Sequence, residues 1–531
     1  MKVFYNAKIY TPEPTNSTAL VIDHGYIIAL GYDKDILNGF HQAEQLTNVN
    51  NKTIWPGLTD AHVHLQTLAE SLAMVDCETP SISTCLARVE KRCESLPRGA
   101  WVRGHGWNQN EWEGGYGTIE SLDEVTSDHP AYLTAKSLHA AWVNSKALAL
   151  AGIDQNTPDP PTGKIQRDSS GEPTGILFEM GAMSMVEEII PRPSQTEILA
   201  MIDHLLPELW KMGLVGIHDF DGFDCWQALQ AWFQQGNRNF RIRKNIPFDH
   251  LDTFIRCGLR TDFGNDWLHL GGVKLFSDGA LGPQTAAMFE PYEGSDDAGS
   301  LLLSEDQIVQ IGQDAISHGI ALSIHAIGDQ ANHVVLNAYE KLRKYEQIHH
   351  LHHFRHRIEH VQIIQPQDLP RLAELDIIAS VQPVHAPSDM IMADRYLGQR
   401  AQNAYAFRAI IDCGAPFVLG SDAPVESVNP FIGIHAAVTR QRLDGTPRPS
   451  GWHPQQRLSL NQALQGFSLM PAIASNRSDR MGKIAPGYTA DFLILADDPF
   501  QITPDQLSSL KPEATFIGGE CVYFSPETSL F

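Results

Sequence analysis

Residues 56–65 read PGLTDAHVHL and carry two histidines, His62 and His64, that are separated by a single residue. A hydrophobic run at 53–55 and a Pro-Gly turn precede them. In an extended strand, residues i and i+2 point to the same face, so the two imidazoles converge on one point, as two ligands of one metal ion must. The alternative is a pair of histidines on a half-exposed strand, and the rest of the chain has to decide between the two.

Composition and charge narrow the classes of protein. The chain has 531 residues, of which 43% are hydrophobic, and can bury a large core. Its net charge of −24 argues against nucleic acid or an anionic membrane as a partner, because both would be repelled. No stretch resembles a signal peptide or reaches the ~20 apolar residues of a membrane span. We therefore expect a cytoplasmic globular protein that acts on a small-molecule substrate.

The seven cysteines are scattered along the chain and include no Cys-x-x-Cys pair. An odd number of isolated cysteines favours reduced thiols over disulfides or a thiolate metal site. A metal site in this protein would therefore depend on histidines and carboxylates.

The two ends of the chain share one sequence pattern. Residues 1–55 alternate short β-rich runs with turns, and the same pattern recurs in residues 471–531. Neither end has enough strands to cover a hydrophobic face alone, so we predict that both termini form one small, discontinuous β-sandwich domain.

Residues 56–470 alternate short apolar strands with amphipathic helices, which is typical of a parallel α/β fold. Eight strands predict a (β/α)8 TIM-like barrel, in which reactive groups lie at the C-terminal ends of the strands. The predicted strands are 53–55, 131–134, 215–218, 268–276, 320–324, 357–359, 377–381 and 417–419.

Insertions around residues 80–180 interrupt this pattern. Residues 101–117, WVRGHGWNQNEWEGGYG, hold three tryptophans and five glycines. We predict a loop that folds over the barrel mouth and supplies aromatic walls to a substrate pocket, with Trp107 as a candidate contact. The alternative is a surface loop whose tryptophans only pack on the barrel. Residues 156–179 are predicted to form a second lid or insertion.

Polar residues follow several predicted strands. Imidazoles and carboxylates are ligands of zinc and related ions, so this set indicates a centre with one or two divalent metal ions, zinc being favoured. The residues in question are His62, His64, His218, Lys274, His325, His360 and Asp422.

Lys274 lies near the end of an apolar strand, where burial would lower its pKa and free the neutral amine. A neutral amine can add carbon dioxide and become a carbamate, which carries a carboxylate able to bridge two cations. The competing interpretation is a salt bridge with Asp278 or another carboxylate, and spacing alone favours that salt bridge.

A histidine-rich tract precedes His360 and resembles a metal-binding segment. We interpret it as a solvated lead into the strand, because only His360 falls at the C-terminal end of that strand. The five histidines of the tract are His349, His350, His352, His353 and His356.

Five motifs together resemble the amidohydrolase superfamily over nearly the whole chain: PGLTDAHVHL, GGVKLFSDGALG (271–282), IHAIGD (324–329), RIEHVQ (357–362) and VLGSDAPV (418–425). The segment MGKIAPGYTADFLILADDP (481–499) resembles the small domain of that superfamily. HAAWVNSKAL (139–148) and GEPTGILFE (171–179) resemble the amidohydrolase family 3 group, which includes N-substituted formamide deformylases.

The resemblance implies a metal site formed by His62, His64, Lys274, His325, His360 and Asp422. It also implies carboxylation of Lys274 and a binuclear centre, although some relatives work with one metal and an unmodified residue. Three further residues, His139, Glu179 and His218, are candidates for contacts with the substrate or with the metal ligands.

The predicted reaction is hydrolysis of an amide-like C–N bond, other than a peptide bond in a protein, by metal-activated hydroxide. Asp422 would take the proton of the attacking water and pass it to the leaving nitrogen. Two alternatives stay open: an isomerase or decarboxylase that uses the same metal site, and a catalytically silent binding protein. The apolar β module could support a homodimer.

Overall fold

The computed structural model describes residues 1–10, 16–72 and 74–526. An eight-stranded parallel sheet forms a nearly closed barrel in which each strand pairs with the next along the chain. The last and first strands meet through a bridge between Val63 and Ala423. Barrel strands one to eight are Leu58–Val63, Leu214–Asp219, Arg241–Pro247, Leu268–Phe276, Leu322–Ala326, Arg357–His360, Ile378–Val381 and Phe417–Leu419.

Two of the predicted barrel strands were wrong, and two real barrel strands were absent from the predicted set. The run at 53–55 belongs to a separate sheet, and the first barrel strand begins at Leu58. The run at 131–134 lies in the insertion. The third barrel strand, Arg241–Pro247, was missed because its sequence, RIRKNIP, alternates charged with apolar residues and imitates a half-exposed strand, yet Arg241 to Ile246 are all buried.

The insertion is a folded unit with its own sheet. Six strands pair in the order Lys164–Arg167, Pro173–Phe178, Ala140–Val143, Ala131–Ala135, Val102–Trp107 and Val75–Asp76. The tryptophan-rich segment therefore begins as a strand of this sheet. It packs into a hydrophobic core that contains Trp107, Trp112 and Trp142.

The chain termini contribute two further sheets. One has four strands, in the order Tyr26–Gly31, Ala19–Asp23, Lys2–Tyr5 and Gln45–Asn48. The other combines both ends of the chain, in the order Lys8–Ile9, Thr53–Pro56, Phe492–Leu495, Pro512–Ile517 and Glu520–Phe524. Phe4 from the first sheet packs edge-on against Phe492 and Phe516 of the second, so the two sheets share a core.

Helices cover the strands and fill the connections. Those of the barrel region are Leu65–Ser71, Gln195–Lys211, Phe223–Gln234, Leu251–Arg256, Glu305–Ser317, Asp329–Ile348, Leu369–Glu374, His385–Leu397, Phe407–Asp412, Pro430–Thr439, Leu460–Gly466 and Leu469–Ala474. The insertion contributes Ile82–Ser95, Ile119–Thr126, Ser145–Ala151 and Glu179–Glu187, and the N-terminal segment contributes Asp33–Gly39. Short 3-10 helices are Phe248–His250, Gly398–Asn403, Pro454–Gln456 and Pro504–Ser509.

The histidine tract is only partly solvated. His349, His350, His352 and His353 are exposed, but His356 is fully buried, which corrects the prediction for that residue. Its ring accepts the N–H of Leu322 at 3.0 Å and bonds the Glu346 carboxylate at 3.0 Å.

Two further expectations can be compared with the structure. All seven cysteines are unpaired. Within the described ranges, no helix is long and apolar enough to cross a membrane.

Candidate metal centre

The His62 side chain is held by a ring stack and a hydrogen bond at the C-terminal end of the barrel. Its ring is buried and stacks on Phe220 with the ring centroids 4.0 Å apart. Its Nδ1 lies 2.7 Å from Glu359, and Glu359 is held in turn by the Arg357 guanidinium at 2.9 Å. Burial opposes ionisation of Glu359, but Arg357 and His62 hold the pKa of its carboxyl far below the usual range. His62 therefore donates Nδ1–H and turns the lone pair of Nε2 toward the barrel mouth.

Asp422 lies against this free nitrogen. One carboxylate oxygen is 3.3 Å from His62 Nε2 and 3.4 Å from His64 Nε2. The backbone places it there, because Asp422 N–H donates to the His62 carbonyl and His64 N–H donates to the Ala423 carbonyl. The end of the eighth strand is thus bonded to the end of the first.

His64 follows the first barrel strand and shares Asp422 with His62. Its Nδ1 lies 3.3 Å from Asp221, which also accepts the N–H of Thr67. Burial would lower the pKa of His64, but the carboxylates of Asp221 and Asp422 raise it to about 9. Burial lowers the pKa of His62, by contrast, to about 4.

Two other histidines approach the same carboxylate from the sixth and seventh strands. His360 donates through Nδ1 to the Gln382 side-chain oxygen at 3.0 Å, which leaves its Nε2 with a lone pair. His385 Nε2 lies 3.8 Å from Asp422. Ligand atoms of His62, His64 and Asp422 lie within 4.8 Å of one another, and so do those of His360, His385 and Asp422.

The residues present fit a divalent metal ion. The buried Nε2 atoms of His62 and His385 have no hydrogen-bond partner in the part of the chain that the structure describes. An unpaired buried ring nitrogen is costly unless something binds it. Imidazole nitrogens grouped with one carboxylate are the ligand set of zinc and related ions, and carboxylate or amide partners behind the ligands orient them.

His325 and Lys274 lie beside these groups. The His325 ring is 4.6 Å from that of His360, centroid to centroid, and its Nε2 donates to the Gly279 carbonyl. Lys274 lies over the Phe220 and Phe276 rings, at 4.7 and 4.9 Å from their centroids.

The alternative salt bridge of Lys274 is not formed with any described carboxylate. Asp278 instead accepts the backbone N–H groups of Ala287, Ile327 and Gly328. Burial lowers the pKa of Lys274 to about 8, so part of the Lys274 population carries a neutral amine near neutral pH.

Two of the remaining candidates lie at the rim of the site. His139 bonds Glu179 at 2.8 Å, and its ring centroid is 5.9 Å from that of His325. Glu179 also accepts the hydroxyl of Thr285. Burial opposes protonation of His139, but Glu179 keeps its pKa above the ordinary value. The insertion therefore reaches the metal centre through this pair.

The structure does not bring His218 or Trp107 to the site. His218 lies deeper in the barrel, between the Arg357 guanidinium at 2.8 Å and the Ser475 hydroxyl at 3.0 Å. Trp107 is 1% exposed and donates its indole N–H to the Leu133 carbonyl at 2.7 Å. It packs inside the insertion because its ring fills the core beneath that sheet.

Sequence reasoning missed His385 and the residues behind the histidines. His385 begins a helix four residues after the seventh strand ends at Val381, and that position was the available signal. Glu359, Asp221 and Gln382 carry no comparable signal, because their partners come from other strands.

Comparisons with known proteins agree with this geometry. The amidohydrolase family matches residues 45–523. The putative amidohydrolase YtcJ of Bacillus subtilis is 31% identical over 98% of this chain and 99% of its own length. The N-substituted formamide deformylase of Arthrobacter pascens is 28% identical over 98% of this chain and 97% of its own.

A solved structure shares the fold at a similar level of identity. An uncharacterized metal-dependent hydrolase from Pyrococcus horikoshii is 28% identical, with a TM-score of 0.76 over 95% of this chain and 99% of its own. The chain belongs to the amidohydrolase family. It is a metal-dependent hydrolase that acts on carbon–nitrogen bonds.

Proposed function

We propose that this enzyme hydrolyses an amide-like C–N bond in a small molecule, such as an N-substituted formamide, and does not act on peptide bonds in proteins. The observation that carries the proposal is the convergence of four histidine side chains on the Asp422 carboxylate at the C-terminal end of the barrel. The similarity to the Arthrobacter formamide deformylase supports the choice of bond.

The proposed metal site consists of His62, His64, Lys274, His325, His360 and Asp422, and we add His385 as a neighbour. Zinc suits a set of imidazole and carboxylate donors. Carboxylation of Lys274 would turn an amine without a described ion-pair partner into a carboxylate and give a centre for two ions. When bound, the metal lowers the pKa of a water molecule and polarises the substrate carbonyl.

Asp422 is the proposed proton carrier. Burial opposes its ionisation, but His62, His64 and His360 hold its pKa well below the ordinary value, so it is ionised at neutral pH. Asp422 takes a proton from the attacking water as the new C–O bond forms, and gives it to the nitrogen as the C–N bond breaks. The products are an amine and a carboxylic acid.

The supporting residues have separate proposed tasks. Glu359 holds His62 in the tautomer that presents Nε2, and Gln382 does the same for His360. His139, with Glu179 behind it, can donate a hydrogen bond to the substrate from the rim of the site.

The proposed organisation of the chain keeps three parts. Residues 1–55 and 471–531 form one discontinuous β-sandwich domain, supported by pairing of Thr53–Pro56 with Phe492–Leu495. Residues 56–470 form the barrel with its insertion. Residues 11–15, 73 and 527–531 lie outside the described parts of these domains. A homodimer and the absence of nucleic-acid or membrane partners stay predictions, as does the cytoplasmic location.

The test is product analysis with zinc-loaded enzyme. A panel of N-substituted formamides and larger N-acyl amines would be incubated in ¹⁸O-labelled water. We expect release of the free amine and one labelled oxygen in the acid. A product of unchanged mass would favour the isomerase, and released carbon dioxide from a substrate carboxyl would favour the decarboxylase. Absence of bound transition metal and of turnover would favour a silent binding protein.

A further inference from the structure

A small cavity, of about 50 Å³, lies at the opposite, N-terminal end of the barrel. His218, Arg243 and His269 occupy the same level on the second, third and fourth barrel strands, where they are direct neighbours in the sheet register. All three are buried and line this cavity. One layer of the barrel therefore carries three nitrogen-rich side chains side by side.

Arg243 is a buried charge that makes no direct ion pair, although the carboxylates of Asp262 and Glu359 act on it from a greater distance. Its side chain is 2% exposed, its Nη1 donates to the Ala474 carbonyl, and its Nε has no partner. It forms no ion pair with any carboxylate among residues 1–10, 16–72 and 74–526. Burial lowers the pKa of Arg243 to about 10, so the guanidinium is still cationic at neutral pH. A buried cation of this kind is costly unless an anion lies beside it.

His269 adds an unused hydrogen-bond donor. It is 5% exposed, and neither ring nitrogen makes a well-aligned hydrogen bond to another described residue, although the Asn265 backbone lies near the ring. Burial and the charges of Arg477 and Arg243 keep its pKa well below the ordinary value. A neutral imidazole keeps one N–H, which can donate to a ligand in the cavity.

The other charges around the cavity are already paired. Arg241 holds Asp491 through two bonds of 2.7 and 2.9 Å. Arg477 and Arg480 both bond Asp266. Neither carboxylate is available to Arg243, and both would repel an anion of high charge.

His218 is occupied as well. It accepts a hydrogen bond from Arg357 through Nδ1 and lies 3.0 Å from the Ser475 hydroxyl through Nε2. The unsatisfied donors of the cavity therefore come from Arg243 and His269, on adjacent strands.

We propose that this cavity binds a small monovalent inorganic anion of the size of chloride, held by the Arg243 Nε–H and a ring N–H of His269. The volume holds such an ion but leaves little room for a larger organic acid. Water alone could accept the same hydrogen bonds, but it would leave the guanidinium without an anion in direct contact. The site is independent of the proposed reaction and is expected to stabilise the fold.

Bromide serves as the probe, because its anomalous scattering distinguishes it from water. Crystals of the metal-loaded wild-type enzyme would be grown without chloride and soaked in bromide. We expect an anomalous peak between Arg243 Nε and His269. Data in which the cavity holds only water, with bromide confined to the protein surface, would overturn the proposal.

Thermal unfolding in solution gives an independent test. Chloride would replace gluconate at constant ionic strength, and we expect a saturable rise in Tm of about 1–3 °C. Arg243→Met should abolish the rise, and Arg256→Met, at an exposed arginine, should retain it. An equal rise in both variants would contradict the proposal. Should Arg243→Met not fold, His269→Phe is expected to weaken the response, and the bromide data on the wild type decide.

Discussion

The two ends of the barrel interior use histidine in opposite ways. At the C-terminal end, His62 and His360 each donate one ring nitrogen to an oxygen behind them and present the other beside Asp422. At the N-terminal end, His218 and His269 lie next to Arg243, in one row of the sheet. Histidines in one barrel thus form a centre suited to a cation or, as we propose, part of a site for an anion, depending on the charge of their neighbours.

The largest expected effect is at the C-terminal end. Asp422→Asn should lower kcat by about 10²–10⁴-fold, because an amide cannot carry the proton between water and the leaving nitrogen. The measurement is steady-state hydrolysis with metal in excess. Asp306→Asn, at an exposed position, is the control and should leave kcat unchanged. A near-normal rate for Asp422→Asn would remove that residue from the mechanism.

Glu359→Gln tests whether the residues that hydrogen-bond the histidines determine metal affinity at the C-terminal end of the barrel. We expect metal affinity to fall by about 10–100-fold, because the carboxylate no longer fixes the His62 tautomer. Competition with a chelator measures the affinity, and Glu374→Gln at the surface is the matched control. Unchanged affinity would show that Glu359 serves only to neutralise Arg357.

Low pH is expected to destabilise the protein at the N-terminal end of the barrel, where His356 precedes the sixth strand. Burial lowers the pKa of His356 to about 4, below the value of about 6.5 in the unfolded chain. Between these two pH values the unfolded chain therefore binds more protons than the folded protein. The stabilisation that neutral His356 gives to the folded protein is complete above about pH 6.5 and is lost as the pH falls through about 4.

This single residue should lower the free energy of unfolding by about 2 kcal/mol between pH 7 and pH 5. Urea unfolding at the two pH values measures the change. His356→Gln should reduce the pH dependence by a similar amount, while His350→Gln, at an exposed position, should not. An identical pH profile for His356→Gln and the wild type would contradict the assignment.

The smallest expected effect concerns the insertion. Trp107→Phe should lower the free energy of unfolding by about 1 kcal/mol, because the Leu133 carbonyl loses its indole donor. The value of kcat/KM should stay within about twofold of the wild type. A large rise in KM would instead restore the interpretation of Trp107 as a wall of the substrate pocket.

The sequence was most informative where a chemical group follows an apolar strand. His62, His64, Lys274, His325, His360 and Asp422 lie at the ends of apolar strands, as does His218, and it was the resemblance to the amidohydrolase superfamily that set the six apart as a metal site. The structure gathers those six at one end of the barrel and leaves His218 deeper inside it. Residues whose role depends on a partner elsewhere could not be predicted. Glu359 meets His62 only after strands one and six lie across the barrel from each other, and no spacing along the chain shows that contact.

The two wrong predictions, for the strand Arg241–Pro247 and for Trp107, also arise from contacts that form only in the folded chain. Arg241–Pro247 was missed because its charged residues are stabilised inside the barrel by partners such as Asp491, a contact made only in the folded chain. Trp107 looked like a pocket wall because a glycine-rich segment suggested a loop, whereas strand pairing with 131–135 buries it.

The strand Thr53–Pro56 has a consequence for how the protein is made. It pairs with Phe492–Leu495, and it leads directly into the barrel strand that carries His62. On the ribosome, the first of these strands emerges well before its partner, because the whole barrel region lies between them in the sequence. The nascent chain therefore holds this edge unpaired while the barrel is synthesised, and the entry to the metal centre takes its final form only after Phe492–Leu495 has emerged.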